Sequence, residues 1–291
     1  MAMLLCRMPF SRFCKKRKIY EQPKPAGDEE ACGVIEEQPE ESPMRFHDMT
    51  WPQLKQVPRN GTLVLAPIAA CEQHSRHLPT YTDTILVTAV AEDVEKRLPQ
   101  QVLLLPTLWF GASAHHLRFG ATLSAEVDTH IDMLCNLLVP LMDDDHDRLL
   151  ILNGHGGNID TMHVALRRLQ VRYPDKQMTA ASYWELAEKE LAALAQGPRK
   201  TMGHACEFET SMIMALRPDL VRREEIKDDP PPPEPALRGL YLSEDMKQRT
   251  QRGAVGYPEL ATPEKGRAFL NAAIDRVAEV VQALLRRPLP Q

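Results

Sequence analysis

The sequence predicts an α/β protein, with a mostly parallel sheet covered by helices on both faces. Three observations predict it. Short apolar runs without polar alternation, Thr62–Ala70, Val102–Leu105 and Leu149–Leu152, suit strands buried on both sides. Segments with apolar residues at helical spacing separate them. Strand and helix then alternate over more than a hundred residues, the pattern of βαβ units.

Residues 1–43 mix Pro, Glu and Lys without either periodicity and are expected to form a disordered extension before a single domain at 44–291. Phe46–Val57 is a short amphipathic segment, with Thr50 placed as an N-cap and Pro52 in the first turn. The strand Thr62–Ala70 follows. Asp83–Leu98 has apolar residues at 86, 87, 90, 94 and 98 and is expected to be helical. After the strand Val102–Leu105 comes a helix over Val127–Leu141, then the strand Leu149–Leu152. Ile159–Val171 is helical, with Met162, Ala165, Leu166 and Leu169 on one face. A fourth strand is expected at Gln177–Tyr183, then helices at Trp184–Ala195 and Glu209–Leu216. Pro230–Pro233 and Pro235 make a stiff surface crossing, and Gly253, Gly256 and Pro258 mark another loop. Pro263–Leu285 reads as a long final helix, with Thr262 as its N-cap and Glu264 in its first turn.

Bulk properties narrow the function. The chain of 291 residues carries a formal charge of −5 and a pI near 6.1, so it lacks the basic field that nucleic-acid binding uses. Its six cysteines are widely spaced with no CxxC pair, which fits a reducing, cytoplasmic setting better than a disulfide framework. No apolar run approaches the ~20 residues of a membrane span. At the N-terminus apolar residues precede the basic cluster Lys15–Lys18, the reverse of a signal peptide.

Residues able to bind cations concentrate just beyond two strands, where parallel sheets place their ligands. Cys71–Asp83 holds Glu72, His74 and Asp83, and Asn153–Asn158 (NGHGGN) sets His155 between glycines that let its imidazole approach an ion closely. Glu72 and His74, two apart at a strand end, should point the same way. Asp83 falls at the foot of a helix, as a cation ligand or only as that helix's N-cap. Asn153 and Asn158 are expected to hold the loop by hydrogen bonds. A third cluster, Gly203–Ser211, offers His204, Glu207 and Glu209; the two glutamates, two apart, cannot share a helical face, so only one should reach the site. Two imidazoles and three carboxylates make a nitrogen–oxygen donor set suited to Zn²⁺, Mn²⁺ or a related divalent ion. Five such ligands exceed the need of one catalytic zinc, and an Asp can bridge two ions ~3.5–4 Å apart. Cys71 and Cys206 read as core thiols.

The segments PIAACEQHSRHLPTYTD, GASAHHLRFGATLS, LILNGHGGN, GHACEFETSMIMAL and GAVGYPELATPEKG, in order from Pro67 to Gly266, resemble the motifs of the creatininase (creatinine amidohydrolase) family, in its NGHGGN branch. The resemblance implies a three-layer α/β/α fold and a homo-oligomer. It also implies a dinuclear centre of zinc or manganese, with iron as a further option, whose hydroxide hydrolyses a C–N bond (amide, cyclic amide, formamide or peptide) of a small amide-type substrate; a bond other than a peptide bond is expected here. It implies Glu72, Asp83 and His155 on one ion, and His74, Asp83 and Glu209 on the other, with Asp83 bridging. It thus selects Glu209 over Glu207 and gives Glu209 a catalytic part. His204 becomes the catalytic histidine beside the substrate, donating to the leaving nitrogen or stabilising the oxyanion, with Ser113 and His116 near the pocket.

The chain departs from the family pattern at several positions. Gly157 stands where creatininase has a further glutamate ligand, Ser75 where a glycine is usual and Arg76 where a proline is usual. Cys206 replaces a glycine, and Phe119-Gly120-Ala121-Thr122 stands for FPGT. These changes point away from creatinine itself, and Arg76 and Arg118 are candidates for lending the pocket positive charge. Two alternatives remain: a ligand-binding protein that kept fold and metal without turnover, and a metal-dependent phosphoesterase. The second lacks a glycine-rich phosphate cradle or a lysine cluster near the loops.

Overall fold

The computed structural model describes residues 43–230 and 240–291. The expected N-terminal extension lies outside the described residues save for its last position, as does most of the Pro230–Pro235 crossing. Helix α1 (Trp51–Gln56) opens on Thr50, whose backbone N–H donates to the Gln53 side chain at 2.8 Å in a capping box. Then come β1 (Leu63–Ile68), α2 (Thr82–Arg97), β2 (Val102–Leu104), α3 (Val127–Asp143), β3 (Arg148–Asn153), α4 (Ile159–Arg172) and β4 (Gln177–Ser182). Two short helices follow, α5 (Tyr183–Leu186) and α6 (Glu188–Leu194), then α7 (Glu207–Leu216), α8 (Met246–Arg249) and α9 (Pro263–Arg286).

All four strands are parallel, in the order β2-β1-β3-β4. The expected α/β fold, three layers around a parallel sheet, is what the chain adopts. Every residue of β1 and of β3 is buried, and alternate side chains enter different cores. Leu63 and Leu65 pack with Val87, Val94, Phe208, Phe269 and Val277 on the side of α2, α7 and α9. Val64, Ala66 and Ile68 pack with Leu134, Leu138, Met162 and Leu169 on the side of α3 and α4. That is why these strands read as continuous apolar runs. Each fully buried Leu or Val contributes about 1.5–3 kcal/mol.

β1 is followed on one side by β2 and flanked on the other by β3, so the chain reverses direction across the sheet between β1 and β3. A crevice opens at the carboxyl ends of strands at such a reversal. Ile68 is in register with Asn153, and Asn153 with Ser182, so three strands end level beneath it.

One expected helix, Trp184–Ala195, is broken. Ser182 forms a capping box with Glu185 and starts α5 directly from the strand end, and Ala187 (φ −103°, ψ 17°) ends it and begins α6. The helix expected from Glu209 starts two residues earlier, and Thr262 caps α9 as expected, accepting from Lys265 N at 3.2 Å. Among the described residues no helix is long and apolar enough to cross a membrane.

Two departures from the family pattern sit on left-handed backbone: Ser75 at φ 57° and Ala121 at φ 49°. A Cβ is disfavoured there, and glycine is not. Ser75→Gly and Ala121→Gly are each expected to raise unfolding stability by about 0.5–1 kcal/mol, the left-handed penalty less the entropy of an added glycine. Urea denaturation checks this; lower midpoints for both would contradict the local strain.

Candidate metal centre

The chain runs on past β1 through two buried alanines and doubles back, with Glu72 N donating to Thr80 O at 2.9 Å and Leu78 N to His74 O at 3.3 Å. Glu72 and His74 therefore lie in this loop and not on a strand end, yet both side chains turn inward, 1% and 0% exposed. Asp83 is the second residue of α2, whose N-cap position is Tyr81, so its carboxylate does not serve as the cap. It faces the two imidazoles: Oδ1 lies 3.0 Å from His74 Nε2 and Oδ2 lies 3.1 Å from His155 Nδ1.

His155 is held by its neighbours. Asn153 Oδ1 accepts from His155 N at 3.0 Å, and Asn153 Nδ2 donates to His155 O at 2.7 Å. Asn158 ties the same loop to the end of β1 through Ala69 O (2.9 Å) and to the next segment by accepting from Ala112 N (2.9 Å). The two asparagines thus bind the loop as expected. On α7, Glu209 points inward, with Oε1 3.8 Å from His74 Nε2. Glu207 points away, taking Lys265 Nζ at 2.8 Å and the N–H groups of Gln196 and Gly197 at 3.0 and 2.9 Å. One glutamate reaches the cluster and the other clamps α7 to α9 and to the loop before it.

Glu72, His74, Asp83, His155 and Glu209 therefore meet, from three separate parts of the sequence. The orientation of the imidazoles is informative. His155 Nε2 lies 3.2 Å from Ala112 O, an acceptor only, so it carries a proton, and Nδ1 is turned to Asp83 and to Glu72 Oε1 at 3.3 Å. His74 Nδ1 lies 3.2 Å from Glu72 O, so its Nε2 is turned to Asp83 and Glu209. Rings so fixed turn one nitrogen each to the carboxylates, the atoms that would ligate a cation there. His74 Nε2, Asp83 Oδ2 and Glu72 Oε2 are buried without a hydrogen-bond partner. The donor atoms of Glu72, His74 and Asp83 lie within 4.8 Å of one another, as do those of His74, His204 and Glu209. The residues fit a divalent metal.

The charge balance without cations is strained. Burial pushes the Glu72 carboxyl up against the pull of His155. Burial also opposes ionisation of Asp83, but His74 and His155 outweigh it and hold its carboxyl well below the usual range. Burial would depress His155, yet Glu72 and Asp83 raise it to about 10.

His204, just before α7, is also brought in. Its Nε2 donates to Gln73 O at 2.7 Å, which leaves Nδ1 facing Glu72 Oε1 at 3.5 Å. Burial, then the charge of His74, keeps it neutral, far below its ordinary pKa. His116 accepts at Nδ1 from the Gln73 side chain (2.8 Å) and sets Nε2 3.3 Å from Glu72 Oε1. Ser113 is fully buried, its hydroxyl 3.2 Å from His155 Nε2. A cavity of about 300 Å³ opens on the cluster, lined by Glu72, Asp83, His155, His204 and Glu209 with Trp184 and Met246. Cys206 is buried beside Met202, its thiol pushed up to about 12 by burial and Glu209, as suits a core residue.

A family model described as creatininase, creatinine amidohydrolase, matches residues 47–281. The chain belongs to the creatininase family. It is 26% identical over 250 residues to the creatinine amidohydrolase of Pseudomonas putida, covering 81% of this chain and 95% of that one. It is 28% identical over 244 residues to a mycofactocin precursor peptide peptidase of Mycobacterium tuberculosis, covering 80% and 90%. A solved structure titled "Creatininase Mn" superposes with a TM-score of 0.72 at 25% identity, covering 84% of this chain and all of that one (100%).

As a creatininase-family chain it shows why a glutamate is absent at 157. A Cβ on Gly157 would collide with Ala112 O and lie 2.5 Å from His155 Nε2 and 2.8 Å from His115 Cε1. His115 fills that space, stacked on His155 with ring centroids 5.7 Å apart and 13° between planes. Sequence reasoning passed over His115, although it adjoins His116 in a quoted segment. It also missed Gln73, whose amide reaches His116, His204 and Gly253 O (3.1 Å), and whose value depends on partners up to 180 residues away. Arg76 and Arg118 do not line the cavity; they lie at the surface, near Glu225 (3.9 Å) and Asp245 (2.7 Å). Gly157→Ala should cost about 1–3 kcal/mol through overpacking and displace His155. Thermal melting and zinc titration would register both; an unperturbed variant would contradict the tight approach at Gly157.

Proposed function

We propose that this chain is a metal-dependent amidohydrolase that binds two divalent cations, zinc or manganese, and hydrolyses a C–N bond of a small non-peptide amide. The observation that carries it is the pair of buried imidazoles that contact the two oxygens of one buried carboxylate, Asp83, His74 at 3.0 Å and His155 at 3.1 Å. In this reading Glu72, Asp83 and His155 hold one cation, and His74, Asp83 and Glu209 the other. Because each Asp83 oxygen already addresses a different histidine, bridging needs no rotation of the side chain. His115, whose donor atom lies within 4.8 Å of those of Glu72 and His155, supplies the ligand that Gly157 cannot. When bound, such cations polarise a carbonyl and lower the pKa of water enough to make it a nucleophile near neutrality.

The chain's own residues then handle position and protons. His116 and Ser113 sit behind Glu72 and His155 and keep those side chains aimed. His204, neutral with Nδ1 free, takes a proton from the attacking water and returns it to the leaving nitrogen, which must depart as an amine. The Gln73 carbonyl fixes the ring for both transfers. A cavity of about 300 Å³, at the low end for ligand sites, supports a small amide over an extended peptide. The family's relatives include both kinds of substrate by name.

Asp83→Ala should lose at least one bound cation per chain and all turnover; elemental analysis showing full metal content would contradict bridging. His204→Gln should keep the metal and lower kcat by about 10²–10⁴-fold. A panel of lactams, formamides and short peptides with added Mn²⁺ or Zn²⁺ provides the assay. Cleavage of peptides alone would overturn the small-amide assignment.

A further inference from the structure

Two arginines line the cavity that the sequence did not single out, Arg199 before α7 and Arg249 on α8. We infer that this cavity recognises substrates bearing a carboxylate, and that Arg199 and Arg249 bind it; this rests on the metal-centre reading and names the substrate class.

The two guanidiniums are poorly paired within the chain. Arg199 donates from Nη2 to Met202 O at 3.1 Å, and its Nε is buried without a partner. Arg249 donates from Nη2 to Leu242 O at 3.0 Å, and the carboxylate beside it, Glu244, is partly exposed and 3.9 Å from its Nε. Neighbouring arginines outside the cavity do better: Arg118 reaches Asp245 at 2.7 Å and Arg252 reaches Glu225 at 2.9 Å. Among the described residues, then, the arginines facing the cavity lack a carboxylate at hydrogen-bond distance.

The charge of the loaded site points the same way. Three carboxylates, Glu72, Asp83 and Glu209, together with one hydroxide would balance two divalent cations, which leaves the two guanidiniums uncompensated. Positive charges in a partly water-excluded cavity are costly unless an anion joins them. A carboxylate on the substrate meets that need, and guanidinium is the side chain best matched to it, through two parallel N–H···O bonds. The amide end of the same molecule would lie over the metal ligands, with Trp184 and Met246 against its apolar stem.

Hydroxamates test this without a known substrate, because their head group chelates metal pairs. On the zinc-loaded protein, calorimetry would compare butyrohydroxamate with succinic monohydroxamate, and likewise the next two longer pairs, methyl-ended against carboxylate-ended. At least one carboxylate-ended member should bind roughly tenfold or more tightly than its methyl counterpart, the worth of a charge-assisted pair. Arg199→Gln and Arg249→Gln, checked by melting and bound zinc, should each reduce that preference and together remove it. Equal affinity across every pair, or a preference that survives in the double variant, overturns the inference. Failure of every hydroxamate to bind would instead overturn the metal-centre reading, and this one with it.

Discussion

Two backbone carbonyls, Ala112 O and Glu72 O, each take the proton-bearing nitrogen of an imidazole. That small constraint organises the region. It forces the opposite nitrogens of His155 and His74 towards Asp83, and no side-chain rotation can undo it without breaking a buried hydrogen bond. Both carbonyls belong to segments seated on the sheet, so ring orientation is a property of the scaffold. The asparagines of the β3 loop act in the same sense, fixing a backbone path packed so closely at Gly154 and Gly157 that a Cβ would collide.

The sheet explains why residues so far apart in sequence converge. β1 and β3 are neighbours that end level, and the loops leaving them carry Glu72, His74 and His155. α2 returns from the first loop with Asp83 in its opening turn, and α7, packed on the same side of the sheet, delivers Glu209. The alternation of buried side chains between two cores holds β1 and the interior of β3 (Leu149–Leu152) without polar residues, and the cluster of imidazoles and carboxylates gathers beyond their carboxyl ends.

Much of this was legible. Unbroken apolar runs revealed the strands because a strand buried on both faces cannot alternate, and helical spacing revealed α2, α3, α4 and α9. Glu72, His74, Asp83 and His155 stood out because imidazoles and carboxylates rarely crowd next to buried runs, whereas Glu209 was separated from Glu207 only by the family resemblance. Other features were hidden by their nature. The break at Ala187 depends on the capping of Ser182, a local choice that apolar spacing does not register. Gln73, Arg199 and Arg249 are ordinary surface-type residues in a sequence, and only tertiary placement makes them part of a cavity. Arg76 and Arg118, nearer the motifs along the chain, lie outside that cavity for the same reason.

The clasp between α7 and α9 carries a consequence for biosynthesis. Glu209 sits on a helix seated against α9: Glu207 is bound by Lys265, and Gly266 lies so close that a Cβ would strike Ser211 O. α9 follows α7 in the chain, and a polypeptide emerges from the ribosome amino end first. The helix bearing Glu209 thus gains its backing from α9 only after the other four residues of the cluster have been synthesised.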